Sequence, residues 1–124
     1  MLNNRRLQGF LAIAPIALFI LIFMTYFATI FSLFSSIDAI DKTNQAPIQF
    51  LTGLGIVFLL VFVMVILSLF SFIYFIIHVV KNPNLEQNNM RLIWILIILL
   101  VGGIGNLIYW IAEIESKKPR PIIN

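Results

Sequence analysis

A chain of 124 residues, of which 61% are hydrophobic and 10% charged, is too small to hide that much apolar surface in a water-soluble fold. The net charge of +3 does not indicate nucleic-acid binding, because the eight lysines and arginines flank apolar runs and form no patch. The absence of cysteine excludes a disulfide framework, a thiol nucleophile and cysteine-based metal sites. We therefore predict an integral, multi-pass protein of the cell membrane whose first partner is the lipid bilayer.

Three runs without a charged residue are each longer than the ~20 residues that a helix needs to cross the hydrocarbon core. They predict transmembrane helices at about 9–34, 50–79 and 91–113. Strands are not expected, since three segments cannot close a barrel and lipid does not tolerate an open sheet edge. The predicted fold is all-α, a small bundle of three transmembrane helices in one membrane domain, 1–124, with a basic tail at 114–124.

The first run resembles a secretory signal, but it is about twice as long as the usual apolar region of ~7–15 residues and lacks an A-x-A site. We interpret it as a retained anchor. Pro15 is expected in the first turns of this helix, where a missing N–H does least harm. A polar stripe at helical spacing follows it, made of Thr25, Thr29, Ser32 and Ser36.

The second run also carries a stripe at helical spacing, made of Ser68, Ser71, Phe75 and His78. His78 is the only histidine of the chain, and it follows Tyr74 by one helical turn. This pair is a possible polar site, either a proton relay or a headgroup contact. The alternative that we favour is an interfacial histidine at the water boundary. A lone histidine does not indicate a metal site, and no metal is predicted.

The third run contains GGIGNLIYW at 102–110, which has some features of a phosphate-binding loop. The third glycine of a dinucleotide loop is replaced by Ile108, and the lysine of a Walker loop is absent. Helical spacing explains the stretch better and predicts a packing seam on one helix face. The seam residues are Gly102, Gly105, Asn106, Tyr109 and Glu113.

Trp94 and Trp110 lie near the two ends of this third run and are predicted to be interface anchors. Glu113 is interpreted as an interfacial acid at a helix end. The sequence shows no general acid/base pair, so no catalytic residue, no cofactor and no enzymatic activity are expected.

The frame RLIWILIILLVGGIGNLIYW, with Trp94, Gly102, Gly105 and Tyr109, resembles the second helix of the N-terminal membrane domain of phospholipase D-like proteins, including cardiolipin synthases. Gly102 stands where that family has proline. The stretch IIHVVKNPNLEQNNMR resembles the family's connecting loop, and the likeness covers about 55–112. The family's catalytic H-x-K motif is not matched after His78. The resemblance therefore implies a free-standing membrane anchor without phospholipase activity, similar also to small three-span bacterial membrane proteins.

The expected function is that of a non-enzymatic membrane protein that acts as an anchor or interaction module, for itself as a homo-oligomer or within a larger membrane complex. The alternative is a small transport, immunity or resistance factor, although transporters usually place charges at the bilayer midplane and here none is central. Three crossings place four lysines and arginines on each side, so the charge count does not decide orientation. We expect the N-terminus inside and the C-terminus outside, with insertion in both orientations left open.

Overall fold

The computed structural model describes residues 3–43 and 47–115, so residues 116–124 of the expected basic tail lie outside the described residues. The helices are α1 (Arg5–Ser35), α2 (Ile37–Thr43), α3 (Ile48–Lys81), α4 (Met90–Val101) and α5 (Gly103–Tyr109). A 3₁₀ turn, Pro83–Leu85, joins α3 to α4, and a π-helical turn, Trp110–Glu115, follows α5. The described residues contain helices and no strand, which confirms the all-α class.

Two of these helices have the length and composition of membrane-crossing helices. α1 has 31 residues and α3 has 34, and their most apolar windows are only 17% and 6% buried inside the protein. The core helix of a soluble protein would be mostly buried. Large apolar side chains cover the outward surfaces of both helices, including Phe31, Phe58 and Phe62. These two helices suggest membrane association.

The third segment differs from the single helix expected at 91–113. The helix ends at Val101, and Gly102 reverses the chain with φ 63° and ψ −127° before α5 begins. The rings of Trp94 and Tyr109 then lie 5.2 Å apart, whereas fifteen residues of straight helix would separate their backbones by about 22 Å. The segment from Met90 to Glu115 is therefore a helical hairpin, and we use that name for it below.

The two arms of the helical hairpin approach closely at Gly105, which has no side chain to separate them. A Cβ atom at Gly105 would lie 2.9 Å from the carbonyl oxygen of Ile97 and 3.1 Å from Cα of Ile98. The backbones of α4 and α5 therefore approach each other as closely as small residues allow. The turn also uses its own polar groups, since the Gly102 amide donates to the Ile98 carbonyl at 3.0 Å.

The chain divides into two compact units, residues 1–16 with 66–124, and residues 17–65. The first unit contains the hydrophobic core, which draws on α1, α3, the 3₁₀ turn and the helical hairpin. Its buried apolar residues are Leu11, Ala12, Phe75, Val79, Leu85, Trp94, Ile98, Tyr109 and Ile114. Every residue of the polar networks described below belongs to this unit.

The second unit shows what the polar stripe of α1 does. Thr25 donates to the Leu21 carbonyl and Thr29 to the Thr25 carbonyl, both at 2.8 Å. Ser36 donates to the Ser32 carbonyl at 2.9 Å. These hydroxyls bond the backbone of their own chain segment and need no partner helix. Thr29 also lies directly over Gly53 of α3, where no side chain would fit without a shift.

We expect Gly105→Ala to destabilise the protein by about 1–3 kcal/mol, the usual cost of overpacking, because the new methyl group meets the backbone of Ile97. Gly103→Ala is the matched control, since a Cβ atom there meets nothing within 4 Å. The measurement is the unfolding free energy of both variants in one detergent. Equal stability of the two variants would contradict the close approach of α4 and α5.

Candidate functional site

A proline inside α1 creates a backbone acceptor that the other segments use. α1 begins at Arg5, so Pro15 lies in its third turn and not in the first turns as expected. Since proline has no N–H, the carbonyl group of Leu11, four residues earlier, loses its helical partner. The Ser71 hydroxyl of α3 donates to this Leu11 oxygen at 2.7 Å. The helix defect in α1 is therefore repaired by a side chain of α3.

The same serine is also bonded by the helical hairpin. The Asn106 amide Nδ2 donates to Ser71 Oγ at 3.0 Å. These hydrogen bonds connect α1, α3 and α5. We call the residues involved the proline relay: Pro15, Leu11, Ser71 and Asn106. In lipid, a backbone carbonyl without a partner costs several kcal/mol, so the relay ties the three helices together at this level.

A second network is centred on His78. The Gln8 amide nitrogen lies 3.2 Å from His78 Nε2, and the Tyr109 hydroxyl lies 2.8 Å from His78 Nδ1. The Nδ2 amide group of Asn82 donates a hydrogen bond to the same Tyr109 hydroxyl at 3.0 Å. We call Gln8, His78, Asn82 and Tyr109 the histidine network. It joins α1, the end of α3 and α5.

The imidazole ring of His78 is bonded from two sides. Its Nε2 lies against the amide group of Gln8 and its Nδ1 against the Tyr109 hydroxyl. Gln8 also hydrogen-bonds the hydroxyl of Tyr74 on α3. The ring is therefore oriented by both α1 and α5.

Both networks lie inside the protein. Ser71 and Tyr109 are 0% exposed, Gln8 and Asn106 are 2% exposed, and His78 is 4% exposed. Aromatic rings surround them, with edge-on contacts of Tyr109 to Phe75, His78 and Trp94 at centroid distances of 6.0, 5.6 and 5.2 Å. The hydrogen bonds are therefore shielded from water, where unpaired groups are costly.

The five seam residues do not share the face of one long helix. Gly102 is the turn that breaks the helix, and Gly105 faces the backbone of α4. Asn106 and Tyr109 reach the two networks from α5. Glu113, interpreted as an interfacial acid, is instead buried in the π-helical turn.

The two predicted interface anchors do not mark opposite ends of a span. Trp94 is buried in the core against Tyr109. Trp110 covers Gly9 of α1, where a Cβ atom would lie 3.1 Å from its ring. The folding back of the chain at Gly102 explains both positions, since it places the beginning and the end of the helical hairpin in the same core.

The structure brings His78 and Tyr74 together, with stacked rings whose centroids lie 6.3 Å apart. The favoured interpretation placed His78 at the water boundary, and the structure buries it instead. The sequence analysis missed Gln8, Asn82 and the acceptor at Leu11. Of these, only the Leu11 carbonyl could have been predicted from the sequence, because a proline inside a helix frees the carbonyl four residues earlier.

Protein-family models, curated proteins and solved structures give no match to this chain. Within residues 3–43 and 47–115, no group of three histidine, aspartate or glutamate side chains is placed to hold a metal ion. What the geometry offers is two buried hydrogen-bond networks that connect α1, α3 with the following Asn82, and α5.

We expect Ser71→Ala to lower the unfolding free energy by about 0.6–2 kcal/mol, the range of hydrogen bonds between membrane helices. In a Pro15→Ala background the same change should cost less, because the new amide at position 15 bonds the Leu11 carbonyl. The measurement is a double-mutant cycle in one detergent, with Ser68→Ala as the control on α3. An equal cost in both backgrounds would show that Ser71 does not repair the proline defect.

Tyr109→Phe should destabilise the protein by about 1–3 kcal/mol, because it removes the hydroxyl group that bonds both His78 and Asn82. Tyr26→Phe is the control, since Tyr26 is 45% exposed and outside the network. Thermal unfolding of both variants provides the comparison. The histidine network would be unimportant for stability if the two variants unfold at the same temperature.

Proposed function

We propose that this protein is a small integral protein of the cell membrane that acts as a non-enzymatic anchor or interaction module. One observation carries the proposal: the buried polar side chains of the first unit bond one another and hold the helical hairpin against α1 and α3. Their hydrogen bonds are used for assembly. What the helices present outward is apolar surface suited to lipid or to a partner helix.

In this proposal α1 and α3 cross the bilayer and the helical hairpin enters and leaves from one side. α4 has 12 residues and rises about 18 Å, less than the ~30 Å of hydrocarbon. The tip of the helical hairpin carries apolar side chains, with Leu100 82% and Ile104 57% exposed. Such a segment is tolerated in a membrane when its backbone polar groups are bonded within the protein, as they are for the amides of Gly102 and Asn106.

An arrangement of two crossings and a hairpin would also break the tie in the charge count. The charge tie arose because three crossings separate the cations four against four. With the hairpin returning to its starting side, seven of the eight lysines and arginines share one side and only Lys42 lies on the other. The positive-inside rule then places this side in the cytoplasm. Both the chain before α1 and the chain after residue 115 are cytoplasmic in this proposal.

The resemblance to the membrane domain of phospholipase D-like proteins supports the same function class. In this proposal the module serves a partner, which is another copy of itself or a larger membrane complex. A cytoplasmic position for both flanking segments suits this role, because either can carry or contact a cytoplasmic partner.

The anchor function is tested by fusing a soluble reporter to the full chain and extracting the membranes with carbonate. We expect the reporter to stay in the membrane pellet, because α1 and α3 each provide an apolar crossing. A fusion that lacks residues 48–81 is the control for the contribution of α3. Release of the full-length fusion into the soluble fraction would overturn the proposal.

The topology is tested with single cysteines, for which the cysteine-free chain is suited. Gln87→Cys and Glu115→Cys should react with a membrane-impermeant maleimide in inverted vesicles, and Lys42→Cys should react in intact cells. All three positions are exposed. Labelling of positions 87 and 115 from opposite sides would mean that the third segment crosses the membrane after all.

A further inference from the structure

A hollow of about 400 Å³ lies beside the connection between α3 and α4. It is outside both polar networks, and its volume is in the lower part of the range of ligand sites. Half of its lining is polar or charged and half is aliphatic. The lining residues are Leu85, Glu86, Asn89, Arg91, Leu92 and Ile95.

The hollow places one positive and one negative side chain next to each other. Arg91 Nη2 lies 3.7 Å from Glu86 Oε1, and the two side chains are 37% and 68% exposed. Arg91 also reaches the Asn82 carbonyl at 3.5 Å. Both contacts are long for a group with five N–H donors, so the guanidinium group retains donors for a further acceptor. A small zwitterion, with an anion for Arg91 and a cation for Glu86, complements this pair.

The aliphatic half of the hollow continues along α4. Leu92, Leu96 and Leu99 are spaced by four and three residues, so they share one helix face. They are 61%, 47% and 57% exposed. This apolar track leads from the charged pair toward the tip of the hairpin. A ligand with a zwitterionic head and a long apolar chain fits both parts.

We propose that the hollow binds the headgroup of a zwitterionic phospholipid with a primary ammonium, of the phosphatidylethanolamine type. Its phosphate pairs with Arg91, its ammonium pairs with Glu86, and an acyl chain lies along the leucine face of α4. The site rests on the proposed function, since embedding the helical hairpin from the cytoplasmic side sets the connection between α3 and α4 at headgroup level.

The lining distinguishes this headgroup from the other common ones. A primary ammonium donates hydrogen bonds to the carboxylate of Glu86 and the amide oxygen of Asn89, whereas the quaternary ammonium of choline cannot. Choline is typically held by aromatic rings, and the six lining residues include none. A glycerol headgroup leaves the lipid with a net negative charge beside Glu86 and provides no cation to offset it.

The test is native mass spectrometry of the full chain, released from micelles doped with equal amounts of phosphatidylethanolamine, phosphatidylcholine and phosphatidylglycerol. We expect bound phosphatidylethanolamine to exceed each of the others by roughly two- to fivefold, as for a partly exposed charge pair. Glu86→Gln should remove this preference, and Arg91→Gln should weaken retention of all three lipids. Lys81→Gln, an exposed cation outside the lining, should leave the preference unchanged.

Equal retention of the three lipids by the wild-type chain would overturn the site, as would a preference that survives Glu86→Gln. Carbonate extraction of the same variants keeps this result separate from the anchor proposal. A chain that resists extraction but shows no lipid preference contradicts only the headgroup site. A chain released by carbonate contradicts both proposals.

Discussion

The carbonyl group of Leu11 is the point on which the structure depends. Pro15 removes its helical hydrogen bond, and an apolar environment gives it no water as a substitute. Ser71 provides the replacement and is itself bonded by Asn106. A local defect in one helix thus specifies which helices lie beside it and at which level. In lipid, where apolar side chains alone give little preference for helix contact over lipid contact, such a bond contributes specificity.

The helical hairpin is the second consequence of the same constraint. A chain that turns in an apolar environment must bond its backbone internally and let its two arms approach closely. Gly102 provides the positive φ, and Gly105 provides the close approach to Ile97. The arm that returns carries Asn106 and Tyr109 into the proline relay and the histidine network. The turn and the networks therefore support each other, since the networks hold the arm that the turn reverses.

The two networks and the charged pair Arg91 and Glu86 differ in the type of their groups and in their exposure. Inside the first unit the network groups are amides, hydroxyls and one imidazole, whose burial costs less than the burial of a charged side chain. The charged pair Arg91 and Glu86 lies at the entrance of the hairpin, where both side chains keep exposure. This division suits a protein whose interior maintains its shape and whose edge meets lipid headgroups. It also explains why the proposed lipid site and the two networks do not share residues.

The sequence alone determined the all-α class and the two long apolar helices, because length and the absence of charge suffice to predict a helix that can cross a bilayer. It also placed Ser71 and His78 on one face of α3, since helical spacing does not depend on tertiary contacts. It did not determine the course of the third segment. A crossing helix and a helical hairpin have the same apolar composition, and Gly105, Asn106 and Tyr109 keep helical spacing in either. Only the tertiary structure decided between them, because the reversal at Gly102 depends on the close approach of Gly105 to the backbone of Ile97 and on the partners that α3 and Asn82 offer to Asn106 and Tyr109.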